Sequence, residues 1–118
     1  MEDLKYILVR TDCTYSVVDI PEDDFLEQAY KLIGCDLIET LPIMGNEIFI
    51  LDEEGKNNER DLNLFCTALH RKLYGRDFLV GNILIGCYKD YDIRGLTPDV
   101  INKYVAALER CEYENICA

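Results

Sequence analysis

The chain divides into apolar blocks separated by short polar or glycine-containing breaks, and the spacing inside each block predicts its structure. Leu4 to Arg10 (LKYILVR) and Tyr15 to Ile20 (YSVVDI) are rich in β-formers on either side of a turn at 11–14, which predicts a hairpin. Pro21 then opens PEDDFLEQAYKLIG. Proline at the first helical position, acids in the first turn and Gly34 after the last turn predict a helix, with Phe25, Ala29 and Leu32 on its apolar face. Asp36 to Met44 and Glu47 to Leu51 read as two strands joined at Gly45-Asn46, with Pro42 placing the first at an edge or bend. A polar loop, DEEGKNN, follows.

Leu62, Phe65, Cys66, Leu69 and Leu73 recur at helical spacing and predict a second helix over 62–74, stopped by Gly75. Asp77 to Tyr88 is a long β-prone run that Gly81-Asn82 bends, bulges or divides, and 90–96 is polar and loop-like. Thr97 caps a third helix from Pro98 to about Arg110, with Ile101, Tyr104, Val105 and Leu108 as its apolar stripe. The order is ββαββαβα, with no repeat or linker. It predicts an α+β fold: one compact domain over 1–118 with a mostly antiparallel sheet and helices packed on one side.

Composition fits one small domain. The 118 residues are 49% hydrophobic, enough for a core, and no apolar run is long enough to span a bilayer. The N-terminus carries acids where a secretory signal carries bases, so the expected location is a cytoplasm. The six cysteines show no CxxC pair and no zinc spacing, and read as reduced, small hydrophobes.

Charge adds asymmetry. The formal net charge is −11, and residues 1–60 hold 15 acids against 5 bases while 61–118 hold 8 against 7. Such a field repels nucleic acid and anionic membranes and suits a basic protein partner. Glu22, Asp23 and Asp24 are the candidate partner-binding residues.

Catalytic chemistry has little to draw on. The chain has one serine, Ser16, and one histidine, His70, without a neighbouring signature, and no phosphate-cradling loop. The loop at Asp52 lacks the alternating ligands of a calcium site. No catalytic residue, metal or cofactor is expected. Asn63, Thr67, His70 and Tyr74 form a polar stripe bordering the apolar one on the second helix, a place where a ligand-facing surface can form. Arg76 and Arg94 are the natural anion contacts for a nucleotide, with Tyr88 and Tyr91 as stacking faces.

The succession IPEDDFLEQAYKLIGCDLIET, FILDEEGK, DLNLFCTAL and DFLVGNILIG resembles a family of small uncharacterised proteins, the domain of unknown function numbered 3846, over about Leu4 to Gly86. Asp52-Glu53-Glu54-Gly55-Lys56, Asn63 and Gly81 carry the likeness; Gly34-Cys35 departs from the family's glycine pair, and the segment after Gly86 lies outside it. The resemblance implies a phage or mobile-element setting. The expected function is a non-catalytic binding protein, an accessory inhibitor of host defence. It would bind a host protein, or sequester a small nucleotide signal, with a homodimer interface as a possible place for the pocket. The alternatives are a small-molecule or nucleotide-processing enzyme and a structural or assembly component.

Overall fold

The computed structural model describes residues 4–55, 60–75 and 78–113, with backbone alone for 111–113. Its elements are β1 (Tyr6–Val9), β2 (Tyr15–Val18), a 3₁₀ turn at Glu22–Asp24, α1 (Phe25–Ile33), β3 (Ile38–Pro42), β4 (Glu47–Asp52), α2 (Leu64–Tyr74), β5 (Ile83–Lys89), β6 (Asp92–Arg94) and α3 (Pro98–Tyr113). The strands form one six-stranded sheet in the order β2-β1-β5-β4-β3, with β6 paired to the end of β5. Every strand pair is antiparallel. The α+β class and the order of the elements are those predicted, with one addition. The polar stretch after Tyr88 returns as β6, pairing Cys87 with Arg94 and Lys89 with Asp92.

The helices divide between the two faces and are not packed on one side as predicted. Along the central strands, Ile7, Val9, Phe49, Leu51, Ile83 and Ile85 point into a core with residues of α2 and α3, including Phe65, Ile101, Tyr104 and Leu108. Tyr6, Leu8, Ile48, Ile50 and Leu84 point the other way, onto Ala29 and Ile33 of α1. The reason lies in the strand sequences: YILV, IFIL and ILIG are apolar at consecutive positions, so both faces of the sheet must be covered. A strand covered on one face alternates instead.

Gly81 divides the long run at 77–88. Its φ of +80° takes the chain through a left-handed turn, so Val80 bridges Leu62 while β5 begins only at Ile83. No helix among the described residues is long and apolar enough to cross a membrane.

Candidate functional site

The polar stripe on α2 splits into an inner and an outer half. Asn63 is fully buried and is the N-cap of α2. Its Oδ1 accepts from the Cys66 backbone N–H at 3.1 Å, and its Nδ2 donates to the carbonyls of Val9 and Gly81 at 3.0 and 2.9 Å. Thr67 is also buried; its hydroxyl donates to the Leu79 carbonyl at 3.0 Å and accepts from the Leu79 N–H at 2.8 Å. These groups hold α2 against β1 and the segment before β5. The helix begins at Leu64, so its buried side turns towards Asn63 and Thr67 while Leu62 and Leu73 are exposed.

His70 and Tyr74 form the outer half. Their ring centroids lie 5.3 Å apart, and the Tyr74 hydroxyl donates to the Ile43 carbonyl at 2.8 Å. His70 Nδ1 is buried without a hydrogen-bond partner among the described residues. Arg76 lies outside the described residues. Arg94 is far from this helix in role: it pairs with Glu22 at 3.2 Å and Asp92 at 3.2 Å, and donates to the Ile93 carbonyl. The cavity that Arg94 lines includes none of Asn63, Thr67, His70 and Tyr74.

The predicted partner-binding acids do sit together, on the 3₁₀ turn leading into α1. Glu22 and Asp23 are exposed and Asp24 is half-buried, its carboxylate accepting from Gln28 at 2.9 Å. The exposed Glu27 follows one turn on, its own pair with Lys31 stretched to 3.8 Å in open solvent, where it contributes little. Leu26, 53% exposed, stands among these acids. Through Arg94, Glu22 is tied to Asp92 on β6.

Two arrangements escaped the sequence. A cavity of about 310 Å³ opens between the end of β5 and the start of α3, lined by Glu47, Cys87, Lys89, Arg94, Thr97 and apolar neighbours. Beside it the Glu47 carboxylate accepts from the Tyr104 hydroxyl at 2.5 Å and from Lys103 at 3.0 Å. Burial, and then the bond to Glu47, hold the Tyr104 hydroxyl well above its ordinary range; burial does the same to Tyr6. Glu47 and Tyr104 lie 57 residues apart, and each reads locally as an ordinary strand or helix position.

The second is a clasp built from the loop that looked calcium-like. Asp52 is buried; one carboxylate oxygen accepts from the Glu54 N–H at 2.9 Å and the other from Arg60 Nε at 2.8 Å. Arg60 also donates to the Gly34 carbonyl. Gly55 packs where a Cβ would lie 2.9 Å from Val80, which a larger residue could occupy only by displacing that side chain. The motif residues Asp52, Gly55, Asn63 and Gly81 thus meet in the scaffold.

The cysteines vary. Cys35, Cys66 and Cys87 are free thiols, each pushed up from the usual thiol range chiefly by burial. Cys13 is disulfide-bonded, which corrects the reading of all six as reduced. It sits at φ +71° in the β1–β2 turn, outside the core that shelters Cys66. The side chains of Cys111 and Cys117 lie outside the described residues.

No curated protein and no solved structure matches this chain. A family match does, and it runs beyond Gly86 to take in most of α3, covering residues 4–109. On that match the chain belongs to the family described as Domain of unknown function (DUF3846).

Proposed function

We propose that this protein works without catalysis, by docking its acidic surface onto a basic protein partner, as an accessory inhibitor of host defence. In this reading it is encoded by a phage or mobile element and acts in the bacterial cytoplasm. The setting rests on the family resemblance; the mode of action rests on the surface. The observation that carries it is the exposure of Glu22, Asp23 and Glu27 around an exposed Leu26. An apolar residue inside a charged rim is how protein interfaces are built, and the net charge of −11 would steer a basic partner to it. Sequestration of a nucleotide has less support, because Asn63 and Thr67 spend their polar groups inside the fold and Arg94 is held by two carboxylates.

The test is a partner captured from host extract by the wild-type chain, purified, and titrated against wild type and a Glu22→Lys/Asp23→Lys/Asp24→Lys variant. The reading predicts a basic partner whose affinity falls at least tenfold with the variant. Equal affinity for both chains would sink it.

A further inference from the structure

Beyond the acidic turn, an aromatic notch lies at the tip of the β5–β6 hairpin. Tyr88, Asp90 and Tyr91 line an open concavity of about 690 Å³. Tyr91 is 100% exposed, and Tyr88 is 40% exposed with its hydroxyl bonded to that of Thr40 at 2.7 Å, which fixes one wall. Asp90 makes no ion pair or hydrogen bond among the described residues. Asp92, by contrast, is already paired with Arg94.

Two ring faces and an uncommitted carboxylate suit a cationic side chain. A ring attracts a cation through its quadrupole, and the carboxylate supplies the counter-charge. A guanidinium fits better than an ammonium, because its planar face stacks on a ring while its edge donates to a carboxylate. Lys89, the adjacent base, alternates to the opposite side of the strand from Tyr88, so it does not fill the notch.

The hairpin is also held in place for this. Asp90 and Tyr91 have φ values of +53° and +70°, the two-residue geometry that matches strand twist. The Glu22–Arg94–Asp92 chain of ion pairs ties β6 to the acidic turn. We propose that the notch between Tyr88 and Tyr91 is a receptor for an arginine side chain of the basic partner, with Asp90 as its counter-charge. This rests on the reading above and names the group that the surface grips.

The test uses a hexa-arginine peptide as the probe, titrated at low salt against wild type, Tyr91→Leu, Tyr91→Phe, Asp90→Asn and the Glu22/Asp23/Asp24 reversal. Tyr91 is wholly exposed, so its substitutions leave the core intact. Leucine keeps apolar area and loses the ring face, whereas phenylalanine keeps the ring. The expected result is affinity lowered about two- to fivefold by Tyr91→Leu and by Asp90→Asn, and unchanged by Tyr91→Phe. Arginine δ-methylene protons should shift upfield on binding in all but the Tyr91→Leu protein. If Tyr91→Leu matches wild type in both readouts while the charge reversal weakens binding, the notch is overturned and the acidic-surface reading survives. If neither change matters, both fall.

Discussion

The side-chain amide of Asn63 donates to the Gly81 carbonyl at 2.9 Å and to the Val9 carbonyl at 3.0 Å, tying the start of α2 to both the break before β5 and the end of β1. With Oδ1 on the Cys66 N–H, one buried amide satisfies three backbone groups from three parts of the chain. Asn63→Ala therefore removes a helix cap and strands two buried carbonyls. The expected cost is about 2–4 kcal/mol, read as a lower urea midpoint. Asn63→Asp keeps the cap acceptor but faces those carbonyls with oxygen, and should be at least as damaging. Were Asn63 a ligand contact, either variant would leave stability near wild type.

Arg60 is a counter-ion of the buried Asp52 carboxylate at 2.8 Å. Arg60→Ala leaves that charge without its guanidinium, and a loss of about 3 kcal/mol in chemical denaturation is expected. Arg60 is 30% exposed, so solvent softens the penalty relative to a fully enclosed pair. Arg60→Lys keeps the charge and loses the fork that also reaches Gly34, and should fall between the two proteins.

Tyr104 gives the stability a pH dependence with a definite sign. Its folded hydroxyl is held above the ordinary tyrosine value by burial and by the Glu47 acceptor. The folded state therefore keeps a proton that the unfolded chain gives up. This contribution is fully present below about pH 10 and is lost as pH rises above it. Thermal melts from about pH 8 to about pH 11 should show Tm falling in the upper part of that range. Tyr104→Phe should flatten the fall in part, leaving the shares due to Tyr6 and to the Cys35, Cys66 and Cys87 thiols, all shifted the same way chiefly by burial. An unchanged slope in Tyr104→Phe would remove the Glu47 contact from the account.

The parts of the fold visible in the sequence were those set by local rules. Gly34 ends α1 and Gly75 ends α2 in left-handed caps, Pro98 opens α3, and Pro21 opens the 3₁₀ turn that leads into α1, which itself begins only at Phe25. The two-faced sheet was also written there, in the unbroken apolar runs of β1, β4 and β5, but it needed reading as burial on both sides. What stayed hidden depends on which distant residues meet. Helical spacing put Asn63 and Thr67 on one stripe with His70 and Tyr74, but it cannot say that β1 and Leu79 would take up the first two. Nor does any spacing pair Asp52 with Arg60 through a buried carboxylate, or bring Arg94 to Glu22. The acidic turn was legible because its three carboxylates are neighbours in sequence and open a helix.

The central claim, that the Glu22–Asp24 surface binds a basic protein, is tested most directly by the salt dependence of the purified complex. Exposed charges are screened as the Debye length shrinks, so the account predicts affinity falling steeply between about 50 and about 300 mM salt. It also predicts a shallower dependence for the Glu22→Lys/Asp23→Lys/Asp24→Lys chain. An affinity that ignores salt and is the same for both chains would contradict it.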